Sequence, residues 1–191
     1  MTGSGSGKIL RVGGVDVVDL LLAQHAQIEE LFRTVRSARG DAKRTAFEDL
    51  VHLLAVHETA EEEIVHPLAK TSIDAGPDVT EARLDEEREA NKLLIELMEL
   101  GTESPQFDAQ FDVLRMAVLQ HARREERWEF MQLRAARPQE QLAALATAVR
   151  AAETAAPPRP MPGAAPPKEP PGPRSAVIDK VRNAIREAMQ S

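Results

Sequence analysis

The chain has 191 residues, 42% hydrophobic and only 3% aromatic, with 24 Lys+Arg against 31 Asp+Glu for a net charge of −7. This length suits one helical bundle plus a tail, and the acidic balance without a basic run argues against a nucleic-acid partner. Cys is absent, which excludes disulfides, thiolate metal sites and iron–sulfur clusters, and no apolar run approaches the roughly 20 residues of a membrane span.

Residues 1–14 are Gly/Ser-rich without an apolar signal core, so they read as a flexible arm. The simplest compartment is the cytoplasm. A first helix is predicted from Asp16, its N-cap, to about Arg36, with the stripe Val18, Leu21, His25, Ile28, Phe32, Val35. Gly40 and Asp41 break it. A second helix runs from about Lys43 to His66, where Pro67 should end it. A third covers about Val79 to Leu100, with Leu84, Glu87, Asn91, Leu94 and Met98 on its stripe and Gly101 as its stop. A fourth runs from about Gln106 to Ala135. Four long helices with short connections predict an all-α, antiparallel up-down four-helix bundle over residues 15–136.

Beyond it, residues 137–155 form an additional helix, with Leu142, Leu145 and Val149 on one side. Residues 156–174 hold nine of the thirteen prolines and read as an extended linker. Residues 175–191 make an amphipathic C-terminal helix with the stripe Val177, Val181, Ile185, Met189. Its simplest role is to dock on the bundle; a protein partner bound through it is the second reading.

The chemistry lies in two HxxxE pairs, His57 with Glu61 and His121 with Glu125. Residues four apart share a helix face, and here that face is the apolar stripe. One pair sits between Leu54 and Ile64, the other between Val118 and Trp128. A buried carboxylate needs a partner or a metal. The first helix adds His25 and the third adds Glu87. Each contribution lies near mid-helix, so an antiparallel bundle brings His25, His57, Glu61, Glu87, His121 and Glu125 to one level. Three carboxylates there repel without cations. Two divalent ions balance them, with Glu61 and Glu125 placed to bridge. Mixed imidazole and carboxylate ligation suits iron ahead of manganese or zinc.

The order His-then-Glu with spacing four differs from the Glu-x-x-His of ferritin-like di-iron proteins. It resembles hemerythrin and the bacterial HHE cation-binding domains, as do the segments DVVDLLLAQHAQIEELF and HETAEEEIVHP. The resemblance covers roughly residues 15–136. It implies a hemerythrin-like bundle with a non-haem di-iron centre that binds O2 or a related small oxidant (peroxide, NO) for sensing, storage or stress defence. A di-iron enzyme with catalase-like or oxidase activity is one alternative; a metal-responsive protein-interaction module is another. One position departs from the family: Glu87 stands where its members usually carry His, and Asn91 where the oxygen carriers have a second one. Harder oxygen ligation favours redox chemistry over reversible oxygen carriage.

The neighbouring residues have plainer readings. Glu58 is a solvated or supporting residue, Glu62 and Glu63 a solvated face, His52 a surface residue, and His66 a residue packed near the rim. Trp128, Phe32, Phe107 and Phe111 read as core.

Overall fold

The computed structural model describes residues 15–155 and 174–190, and among them the regular structure is all helical, with no strand. The helices are α1 Val17–Ser37, α2 Gly40–Ala60, α3 His66–Ser72, α4 Gly76–Leu100, α5 Phe107–Arg124, α6 Phe130–Ala136, α7 Gln139–Ala155 and α8 Arg174–Gln190. Single π-helical turns, Glu61–Val65 and Glu125–Glu129, join α2 to α3 and α5 to α6. Each of these pairs is therefore one long helix with a wider turn inside it. Four long helices in up-down order form the antiparallel bundle, with α1 against α2, α3 against α4, and α4 against α5. α7 lies along α1, and α8 lies across α2 and α7. The expected arm at 1–14 and most of the expected linker, 156–173, fall outside the described residues.

Local chemistry sets the ends of the elements. Asp16 caps α1 by accepting from the Asp19 amide at 2.8 Å, and the Asp19 carboxylate accepts from the Asp16 amide in return. Arg134 on α6 donates to both Asp16 carboxylate oxygens, tying the start of the first long helix to the end of the last. Gly101, the C-cap of α4, has φ 75° and ψ 150°, a positive-φ conformation open to glycine, and its amide donates to the Leu97 carbonyl.

Pro67 does not end its helix. The π turn moves the His66 amide onto the Glu61 carbonyl, and the proline follows at the start of α3, just where the bonding ladder changes register.

The core is split in two. One apolar cluster gathers Val17, Leu21, Ile64, Phe130, Leu133, Val149, Val181 and Ile185. The other gathers Ile28, Phe32, Phe47, Leu50, Leu54, Leu94, Phe107, Phe111 and Leu114. His25 lies on α1 between Leu21 of the first cluster and Ile28 of the second, so a polar layer separates two dry ones. Val181 and Ile185 are fully buried, so α8 docks on the bundle as expected, although Met189 on the expected stripe is half exposed. The side chain of Val177 lies outside the described set.

Two expected core residues are not core. Trp128 is 53% exposed, and Met98 is 46% exposed. For Trp128 the cause is the π turn. An extra residue in the turn after Glu125 carries the buried face to Glu129 and Phe130, both nearly inaccessible, and rotates Trp128 outward.

Candidate metal centre

All six expected residues converge in the polar layer, and each is buried. The HxxxE spacing works alike on both helices: His57 Nε2 lies 3.3 Å from Glu61 Oε1, and His121 Nε2 lies 3.3 Å from Glu125 Oε1. Across the bundle, His25 Nε2 is 3.3 Å from Glu125 Oε2 and 3.9 Å from Glu61 Oε1. His121 Nε2 is 3.8 Å from Glu87 Oε1 and 4.0 Å from Glu61 Oε2. These contacts sort into two overlapping groups, His25–His57–Glu61–Glu125 and Glu61–Glu87–His121–Glu125, each with ligand atoms within 4.8 Å of one another. Glu61 and Glu125 belong to both. Each is the first residue of a π turn, a local widening common at functional sites.

Many polar atoms of this layer lack a partner. Both oxygens of Glu61 and of Glu125, Nε2 of His25 and of His121, and Glu87 Oε2 are buried without a hydrogen-bond partner. Native interiors rarely leave buried polar atoms unsatisfied, and a metal ion between them would satisfy all of these at once. Burial and the adjacent Glu125 carboxylate push the Glu61 carboxyl up to about 8. Burial opposes charge on His25 and His121 as well, yet the surrounding carboxylates outweigh it and raise both imidazoles. Burial and the neighbouring His25 hold His57 well below its usual range, keeping it neutral as a ligand must be. Without a cation, protons therefore take up the charge balance of the layer.

The Nδ1 atoms face outward onto fixed partners, so the Nε2 atoms face in. His57 Nδ1 donates to Gln24 Oε1 at 2.9 Å, and Gln24 donates in turn to Glu153 of α7. His25 Nδ1 meets Glu126 at 2.8 Å, and His121 Nδ1 meets Glu86 at 3.1 Å. Such outer hydrogen bonds set the tautomer and raise ligand basicity. His25 also stacks on Phe130, with ring centroids 5.7 Å apart. The enclosed space between the ligands is only about 20 Å³, walled partly by Ile28, Leu54, Ala90 and Val118.

The family model described as the hemerythrin HHE cation binding domain matches residues 16–133, more than half of the chain. The chain belongs to that family. The family is one of cation-binding domains, and this chain carries buried His/Glu groups able to hold a cation. A solved hemerythrin HHE cation binding domain-containing protein from Mycobacterium kansasii shares the fold, with a TM-score of 0.64, 16% identity and 93% of each chain covered. A curated protein from a Nostoc species named DNA nickase is 26% identical over 141 residues, 73% of this chain and 40% of that protein. The chain thus spans well under half of that relative's length.

Several residues have other places than the sequence suggested. His66, expected near the rim, is 2% exposed. Its Nε2 meets Glu87 Oε1 at 2.6 Å and its Nδ1 lies 3.5 Å from the buried Glu129. Burial opposes its charge, but Glu129 and Glu87 push it up to about 10. The π turn hid this, since an unbroken α-helix would not bring residue 66 onto the face of Glu61. Glu58 is buried and accepts from Asn91 at 3.0 Å. Glu63 is not simply solvated: it pairs with Arg182 at 2.6 Å and Arg186 at 3.1 Å, and Glu62 with Arg182 at 3.4 Å, so this stretch anchors α8. His52 is half-buried rather than a surface residue. Gln24, Glu86, Glu126 and Glu153 were missed. Three of them adjoin a predicted ligand in sequence, which was the available signal; Glu153 had none.

No helix among the described residues is long and apolar enough to cross a membrane.

Proposed function

We propose that this protein is a non-haem di-iron protein that binds O2 or a related small oxidant, peroxide or NO, in sensing, storage or stress defence. The observation that carries the proposal is the pair of overlapping ligand groups sharing Glu61 and Glu125. His25 and His57 would hold one ion and His121 and Glu87 the other, with Glu61 and Glu125 available to both groups. The donor set of three imidazoles and three carboxylates suits iron, ahead of manganese or zinc. When bound, iron supplies a redox-active position for a small oxidant. The chain supplies the rest: Gln24, Glu126 and Glu86 orient the imidazoles, and the apolar wall keeps bulk water out. The space between these residues, about 20 Å³, leaves no room for an organic substrate.

The rival reading is a di-iron enzyme that decomposes peroxide or reduces O2. It uses the same centre, and peroxide turnover by iron-loaded protein separates the two. A metal-responsive interaction module would require α8, whose Val181 and Ile185 are buried, to leave the bundle. Elemental analysis of protein produced with iron should give about two ions per chain. Well-folded protein with a stoichiometry near zero would refute the proposal.

A further inference from the structure

On the outer face of the bundle, between α4 and the end of α5, lies a cleft of about 480 Å³, within the range of small-molecule sites. Its lining includes Arg83, Arg123, Arg124, Arg127, Trp128 and Glu129. Four guanidiniums around one cleft are unusual in a chain of net charge −7. Glu86 accounts for two of them, pairing with Arg83 at 2.9 Å and with Arg124. Glu129 lies 3.5 Å from the imidazole of His66, away from the guanidiniums. No ion pair joins Arg123 or Arg127 to a described residue, and Arg83 Nε is buried without a hydrogen-bond partner. The cleft thus carries surplus positive charge on Arg123 and Arg127. Beside them stands the exposed indole of Trp128, a large apolar ring left half in solvent. The π turn that buries Glu129 and Phe130 turns Arg127 and Trp128 out together. The packing of the core offers no reason for an indole there.

We propose that this cleft binds a phosphorylated small molecule with a planar ring, of mononucleotide size. Guanidiniums hold phosphate through paired N–H donors, and Arg123 and Arg127, one helical turn apart, can share it. The ring stacks on Trp128, as bases stack on exposed aromatics. Glu86 then links the occupied cleft to the metal layer, since it touches both the arginines and His121 Nδ1. The proposal does not depend on which metal the centre holds.

Trp128 is the chain's single tryptophan, so intrinsic fluorescence reports on this cleft alone. AMP titrated into the full chain should change that emission saturably, with half-saturation below about 1 mM. Ribose 5-phosphate, which lacks the ring, and adenosine, which lacks the phosphate, should each bind at least about tenfold more weakly. Arg123→Gln and Arg127→Gln should each weaken AMP several-fold while melting like the parent. Trp128→Phe, followed by calorimetry, should weaken AMP and leave ribose 5-phosphate unchanged. Absence of saturable AMP binding overturns the proposal. So does equal binding of AMP and adenosine, or binding of a single-stranded oligonucleotide without binding of AMP.

Discussion

Replacing His66 with Leu tests how the polar layer is balanced. His66 lies between Glu87 and Glu129, which are 4% and 1% exposed. The substitution keeps an apolar side chain of similar volume in the cavity, so packing changes little. It removes the cation that two buried carboxylates share. Breaking a buried pair by deleting one partner costs roughly 3–5 kcal/mol, because the remaining charge stays uncompensated. For a chain of this size that loss lowers Tm by roughly 6–20 °C. The assay is urea denaturation of metal-free parent and variant at neutral pH. The single variant Glu129→Leu and the double variant His66→Leu/Glu129→Leu complete a cycle. The double variant should be more stable than the sum of the single losses implies, since it removes one of the stranded carboxylates. A loss below about 1 kcal/mol for His66→Leu, with additive behaviour in the cycle, would show that His66 carries no charge-balancing role.

Four further outcomes follow from the same geometry. His57→Ala and His121→Ala should each lose metal, read by elemental analysis; full retention in both would remove those residues from the ligand set. Deleting residues 156–191 exposes the sites covered by Val181 and Ile185, each fully buried, and should cost at most about 3–6 kcal/mol in denaturant melts while bound metal persists. Loss of the metal would contradict the ligand assignment before residue 126. Asp16→Asn keeps a capping side chain but removes the charge. Burial opposes ionisation of Asp16, yet Arg134 and the Asp19 amide outweigh it and hold its carboxyl below 3.8. Its stabilisation is therefore present above that pH and fades as pH falls through the lowered value; parent and variant should differ at pH 7 and converge in strong acid, and a constant gap would refute the charge account. Glu153→Ala should speed metal loss to a chelator by releasing Gln24 from α7; an unchanged rate would confine the site to the four long helices.

Periodicity alone determined the four long helices, the polar layer and its six candidate ligands. The reason is that each ligand interrupts an apolar stripe, and a stripe marks the buried face whatever the partner helix is. Asp16, Gly101 and the docking stripe of α8 were equally legible, because caps and amphipathic faces are local properties. Only the tertiary structure decided what lay beyond Glu61 and Glu125. A π turn leaves no sequence signature distinct from an ordinary helix, yet it shifts every later residue around the axis. That shift buried His66 and Glu129, expelled Trp128 and let Pro67 pass without ending its helix. Arg182 and Arg186 reach Glu63 from more than a hundred residues away, and Glu153 reaches Gln24 across a similar span. Charge pairs of that separation are set by how helices pack, which no local pattern of the chain records.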